Sequence, residues 1–202
     1  MLRALILFSG IAVLLLAPGC REDCKSYDIL LTQQQKDQIP FEGRETIFFT
    51  NGQNDIALCG TGRHDTIEKV YSSVYSCDYT NEETDFLTFK GEDYKLHLSM
   101  RGRDIFNISL YDFSQGLHML ASLRTAQSTG ELSDYDELID SLTIHNSVYF
   151  KVYKDTLVDI SYPDDISDSV KRATYIYYST DFGVVKIDFS DSTSWELDHV
   201  DW

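Results

Sequence analysis

Apolar and polar residues alternate along much of this chain, with the period of two that marks a half-buried β-strand. The cleanest run is Tyr94–Arg101, where Tyr94, Leu96, Leu98 and Met100 lie on one side and Lys95, His97, Ser99 and Arg101 on the other. Over 105–113 the predicted buried face is Phe106, Ile108 and Leu110. Residues 46–50 are β-branched and aromatic and predict a strand. Asn51-Gly52 then predicts a hairpin turn, with 55–59 as the returning strand. Further strands are predicted over 70–79, 86–89, 118–123, 148–153, 174–179, 184–189 and 194–197. Turns are predicted at Asn81-Glu82-Glu83, at Gly60-Thr61-Gly62-Arg63, at Gly91-Glu92-Asp93 and across 180–183. On 148–153, Val148, Phe150 and Val152 are expected to share one face.

Two stretches depart from this period. Thr32 followed by Gln35 fits a capping box and predicts a short helix to about Gln38, because Pro40 discourages helical geometry at Ile39. Leu132, Tyr135, Leu138, Ile139 and Leu142 have helical spacing and predict a short helix or turn. Residues 163–169 read as an acidic loop. Many short strands joined by Gly, Asn and Asp turns indicate an all-β, mainly antiparallel domain. The expected form is a β-sandwich or a curved open-barrel sheet with one short N-terminal helix. No Pro/Ser-rich linker divides the chain, so 32–202 reads as a single domain.

Composition narrows the partners. The chain has 202 residues, 33 acidic and 17 basic, with a formal charge of -16. Such a balance argues against nucleic acid, whose recognition needs Lys and Arg to displace phosphate counterions. At 43% hydrophobic and 13% aromatic residues, the chain can build a core.

The N-terminus reads as an address. Arg3 precedes an almost unbroken apolar run from Leu5 to Leu16, and Ala17-Pro18-Gly19 leads directly into Cys20. The run is short for a spanning helix, which needs about 20 apolar residues. These residues resemble a bacterial lipoprotein signal, although Leu16 stands one place earlier than the usual leucine and Ala17 takes its position. The resemblance implies a signal over 1–19, cleavage after Gly19, acylation of Cys20 and a tether over 20–31. Arg21-Glu22-Asp23 resembles a basic-acidic-acidic export tag of Bacteroidetes lipoproteins, and no Asp directly follows the cysteine. A lipid-anchored outer-membrane location is the implied expectation; the tag points to the cell surface, and the periplasmic face stays open. The mature chain would carry no polybasic patch, so its membrane partner would be reached through lipid alone.

Two further segments carry a wider resemblance. One runs from Leu31-Thr32 through Ile39-Pro40-Phe41, Gly43, Ile47-Phe48 and Asn51; the other joins 146–151 to Ile176-Tyr177-Tyr178-Ser179, 182–186 and Trp195-Glu196-Leu197. Both resemble small Bacteroidetes lipoproteins whose β-rich domain ends in a Tyr-Tyr…Gly…Lys hairpin and a Trp-Glu-Leu strand. The closing hairpins are also similar to the curved sheet of periplasmic lipoprotein carriers, as fold alone. These resemblances imply location and architecture, with no activity and no catalytic residues.

Export permits disulfides. Cys59 follows Ile56-Ala57-Leu58 and Cys77 closes the predicted strand over 70–76, which favours Cys59–Cys77 with Cys24 free; pairings through Cys24 stay open. No zinc-ligand spacing occurs, and no metal or other cofactor is expected. The acidic loops at Asp164, Asp165 and Asp168 and at Asp188 and Asp191 match no calcium-loop pattern. His64, His97, His118, His145 and His199 are scattered, and no nucleophile-elbow motif is present, so no catalytic residue is assigned.

Aromatic residues concentrate near the C-terminus, where Tyr149, Tyr153, Tyr177 and Trp195 are candidates to face a glycan or peptide, with sheet packing as the competing role. Asp-(Ser/Thr)-(aliphatic, Ala, Met or Thr) occurs five times, against about one or two expected by chance from composition. This resembles the O-glycosylation acceptor of exported Bacteroidetes proteins and implies sugars on Thr66, Ser141, Thr156, Ser169 and Ser192. The expected function is a non-enzymatic, lipid-anchored binding or accessory module of the cell envelope, with a glycan, peptide or envelope protein as partner. The alternatives are a carrier of lipid or another hydrophobic ligand, and a secreted hydrolase.

Overall fold

The computed structural model describes residues 24–73, 77–126, 129–161 and 170–202. The expected signal over 1–19, the acylated Cys20, the acidic loop over 163–169 and the acceptor Ser169 lie outside them. The alternating pattern becomes strands β1 (Ser26–Ile29), β2 (Thr46–Thr50), β3 (Asp55–Tyr71), β4 (Tyr79–Lys90), β5 (Tyr94–Arg101), β6 (Ile105–Asp112) and β7 (Leu117–Thr125). It continues as β8 (Leu132–Ser133), β9 (Glu137–Ile144), β10 (Ser147–Thr156), β11 (Val158–Asp159), β12 (Ala173–Ser179), β13 (Gly183–Phe189) and β14 (Ser194–Asp201). One helical turn, α1 (Gln33–Lys36), stands between β1 and β2.

These strands form one open sheet in the order β11-β7-β6-β5-β4-β3-β2-β14-β13-β12-β10-β9, with β1 beside β4 and β8 beside β7. The class is all-β and mainly antiparallel, and the sheet is not closed into a barrel. The curved open sheet is thus the form adopted, and the sandwich is not. The last strand, β14, inserts between β2 and β13 and so ties the two ends of the chain together.

Period-two burial sets the inner face. Leu96, Leu98 and Met100 of β5 face inward beside Leu110, Ile108 and Phe106 of β6 and Met119, Ala121 and Leu123 of β7, all buried. Each of these side chains other than Ala121 contributes roughly 1.5–3 kcal/mol by leaving water. Residues 31–45 cross this face as a strap. Thr32 caps α1 as predicted, accepting from the Gln35 amide at 3.3 Å, while the Gln35 side chain accepts from the Thr32 amide at 2.8 Å. Ile39 and Phe41 of the strap are fully buried, Phe41 edge-on to Phe89 at 5.0 Å. Tyr178 donates its hydroxyl proton to the Gln38 carbonyl at 2.5 Å, anchoring the strap to β12. Gly183 has φ +76, and a Cβ there would lie 2.2 Å from the Phe41 ring, so only glycine admits the strap.

Several expectations are corrected. The strand predicted over 70–79 is two strand ends: Tyr71 closes β3 and Tyr79 opens β4, opposite it. Asn81-Glu82-Glu83 does not turn but continues β4. Its polar side chains are needed there, because Asn81 donates to Asp28 at 2.7 Å, Glu82 pairs with Arg103 at 3.0 Å and Glu83 accepts from the Leu31 amide at 2.8 Å. Gly60–Arg63 is an irregularity within β3 rather than a turn. Residues 132–142 are strand, turn and strand; their apparent helical spacing comes from β8 and β9 flanking a turn where Asp134 has φ +55. Val148 and Phe150 are exposed whereas Val152 is buried, and Lys151 between them has φ +50. Residues 26–29, expected within a tether, form β1 parallel to β4.

The disulfide is Cys24–Cys77, not Cys59–Cys77. Cys59 lies opposite Lys90, whereas Cys77 precedes Tyr79 at the other end of β4, about 36 Å away at 3.3 Å per residue. Parallel pairing of β1 with β4 brings Cys24 to Cys77 instead, with Cα atoms 5.1 Å apart. Cys59 is free and exposed.

Candidate functional site

A cleft of about 570 Å3 opens beside α1 and is lined mainly by polar groups, including Lys36, Arg63, Asp65 and Asp85. Its charges are committed to the fold. Arg63 Nε donates to both Asp85 oxygens at 3.0 Å, Nη1 donates to the carbonyls of Ile39 and Phe41 at 3.2 and 3.0 Å, and Nη2 donates to the Lys36 carbonyl at 2.7 Å and to Asp85 Oδ2. All five N–H donors of the guanidinium are used. Asp85 is 1% exposed, and its hydrogen bond raises the pKa of Arg63 further above its ordinary value. Lys36 is raised mainly by its hydrogen bond to Glu83, at 2.7 Å. Burial would raise Glu83, but the Lys36 and Leu31 hydrogen bonds hold it below the usual carboxylate range. Glu45 completes the clamp: its buried carboxylate accepts from the amides of Glu42, Gly43 and Arg44 at 2.7–2.8 Å. This constellation holds the strap, and the described cations at its centre, Lys36 and Arg63, are both paired with carboxylates.

The sequence does not single out Arg63, Asp85 and Glu45 as partners. The signal it does contain is indirect: Gly43, Gly60 and Gly62 allow two backbones to approach. A Cβ on Gly43 would lie 2.4 Å from the Gly62 carbonyl carbon.

The four aromatics expected to face a ligand do not do so. Tyr149 and Tyr153 turn inward, and burial raises the pKa of each hydroxyl. Trp195 packs edge-on to Tyr94 at 4.5 Å and against Phe189 at 5.1 Å. Tyr177 lies on the outer face but is covered: Lys186 and Lys154 lie 5.2 and 5.9 Å from its ring centroid, and its hydroxyl donates to Asp188 at 2.7 Å. The inner face needs large apolar area to fill the curved sheet, and Tyr149, Tyr153 and Trp195 supply it.

Exposed apolar groups occur elsewhere. Phe150 is 65% exposed and Val148 49%, both on β10 beside β9, the last strand of the sheet. Leu138 of β9 is also exposed. Phe150 lies directly opposite Ser141, and Val148 opposite Thr143, so these side chains share the outer face.

The histidines remain dispersed. His97 bonds Thr88 Oγ1 at 2.9 Å in a groove of about 190 Å3 that also contains Ser99 and Arg101, and burial lowers its pKa. His199 bonds Asp198 at 2.7 Å and stacks on Phe48. His145 approaches Glu196 at 3.8 Å, His64 tilts against Phe86, and His118 stacks on Tyr111 at 3.9 Å. Among the described residues these contacts assemble no serine–histidine–carboxylate relay.

The acidic groups are similarly engaged. Asp188 accepts from Tyr177 and pairs with Lys186 at 3.1 Å; Asp191 accepts from Thr193 and pairs with Lys171 at 3.3 Å. No cluster of three or more potential metal-binding side chains occurs among the described residues. Asp155 is exceptional: burial and the nearby Asp136 carboxylate push its pKa up to about 6. Of the expected acceptors, Thr66, Ser141, Thr156 and Ser192 are exposed, although the Thr156 hydroxyl donates to Asp136 at 2.5 Å.

Comparisons with protein-family models, curated proteins and solved structures find no match to this chain.

Proposed function

We propose that this chain is an exported, lipid-anchored protein of the cell envelope that acts as a non-enzymatic binding or accessory module. The observation that carries the binding role is the outward pair Val148 and Phe150 beside the terminal strand β9. Exposed neighbouring apolar side chains at the end of a sheet favour contact with another protein surface. The Cys24–Cys77 disulfide supports export, since such bonds persist in oxidising compartments. The apolar run before Cys20 supplies the address and the lipid attachment point. The clefts beside α1, around His97 and around Tyr94 contain charged or polar side chains, so they lend the carrier alternative no support. The dispersed histidines lend little to the hydrolase alternative.

The exposed hydroxyls of Thr66, Ser141, Thr156 and Ser192 support O-glycosylation of the same domain. A sugar on Ser141 would cover Phe150, its cross-strand neighbour. Glycosylation there and partner docking on this strip would therefore compete.

Intact-mass measurement on membrane-extracted protein tests the anchor; an unmodified Cys20 rejects it. Pull-down from native envelope, comparing the unaltered protein with Phe150→Ser, tests the module. Equal recovery of every partner by both would remove this strip from the reading.

A further inference from the structure

Residues 65–71 of β3 and 79–82 of β4 form a ribbon, and β1 pairs with the same stretch of β4. Tyr27 lies opposite Thr80 and Val70 on one face of this ribbon; Tyr71 lies opposite Tyr79 on the other. The two outer tyrosines are 61% and 58% exposed, so they flank the end of the ribbon on both sides. Lys69 sits over the Tyr79 ring at 4.7 Å, and the Lys25 amide donates to Asp78 at 2.7 Å. The Cys24–Cys77 bond ties the start of the described chain to this same end.

We infer that the disulfide-tied end of the β1–β3–β4 ribbon rests on the bilayer surface, with Tyr27 and Tyr71 at headgroup depth. This rests on the reading of Cys20 as the lipid-bearing residue. Three residues separate Cys20 from Cys24, and the four residue steps between them span at most about 14 Å when fully extended. A free tether over 20–31 would let the domain drift to about three times that distance. The disulfide and β1 remove that slack and hold one end of the sheet against the membrane. Tyrosine suits this depth, because its ring is apolar and its hydroxyl can stay hydrated. The ribbon carries Asp28, Asp65, Glu68, Asp78 and Glu82 against Lys25 and Lys69, so the surface it fits is zwitterionic rather than anionic. Exposure alone does not select this end. Phe113 is 49% exposed, but its amide donates to Asp93 in the turn after Lys90, at the opposite end of β4.

The test uses protein extracted with its native N-terminus and placed in phosphatidylcholine vesicles containing a lipid with a photoactivatable headgroup. Adducts are located by peptide mass spectrometry, and intact mass and vesicle flotation are measured on the same sample. Adducts concentrated on 25–31 and 65–73, with loss on 111–118, are expected. The variant Tyr27→Ser/Tyr71→Ser, which alters only exposed rings, should still float and should lose adducts on the ribbon. Acylated, floating protein with adducts around Phe113, or spread evenly, overturns the orientation and leaves the anchor standing. Unmodified Cys20 with no flotation overturns both.

Discussion

Arg63 of β3 and Asp85 of β4, diagonal to each other in the register, form an ion pair whose carboxylate is 1% exposed, and the same guanidinium holds three carbonyls of the N-terminal strap. The pair therefore joins the sheet to the segment that covers it. Removing one partner leaves a buried charge unpaired, which costs about 3–5 kcal/mol. Arg63→Ala and Asp85→Ala should each lower stability by this order in urea unfolding. Arg63→Lys should recover little, because an ammonium cannot reproduce the planar five-donor fork. A change below about 1 kcal/mol in either alanine variant would contradict the clamp.

The second prediction concerns pH. The Asp155 carboxyl is raised from its ordinary 3.8 to about 6, mainly by burial and then by Asp136. A raised carboxyl means that the folded state binds its proton more tightly than the unfolded state. Its contribution to stability is therefore greatest below pH 4 and falls as pH rises through about 6. Asp155→Asn should raise the melting temperature at pH 7.5, and the gain should vanish at pH 4. Melting curves across this range check the sign; a gain that grew on acidification would reverse it.

The disulfide closes a loop with a sequence separation of 53, for which chain entropy predicts about 4 kcal/mol of stabilisation. Cys77→Ser should destabilise by that order, whereas Cys59→Ser should change stability by less than about 0.5 kcal/mol. Alkylation of folded, unreduced protein should modify Cys59, and reduction should be required before Cys24 and Cys77 react. Peptide mapping distinguishes these sites.

Phe150→Ser removes an exposed ring from β10 without touching the core. Thermal unfolding should stay within about 0.5 kcal/mol of the parent. Partner recovery from native envelope should fall. A large loss of stability would instead make Phe150 a packing residue.

Gly183→Ala places a methyl against the Phe41 ring at a positive φ. Strain and overpacking together should cost on the order of 2–3 kcal/mol. Phe41→Leu in the same chain should relieve part of this cost, giving a non-additive double mutant in denaturant melts.

Local patterns were legible in the amino-acid sequence where the physics is local. Period-two alternation identified β5 and the inward side of β6, because a pleat places successive side chains on opposite faces whatever their neighbours are. The Thr32–Gln35 capping box needs only four residues, and the β12–β13 hairpin only a tight loop, so both formed where expected. β10 shows the limit: alternation assigned one face to Val148, Phe150 and Val152, but it could not tell that Val148 and Phe150 are exposed while Val152 is buried. Residues 132–142 show another, since apolar spacing cannot distinguish one helix from two strands around a turn.

The amino-acid sequence by itself determined the all-β class, the strand alternation, the capped helical turn and a formal charge of -16. Tertiary structure decided what those elements meet. Cys24 joins Cys77 because β1 lies parallel to β4; Arg63 finds Asp85 because β3 pairs with β4; and Tyr149, Tyr153 and Trp195 become core because their strands turn them inward. Alternation specifies which side chains share a face, but long-range pairing specifies which strands are neighbours and which face the strap will cover.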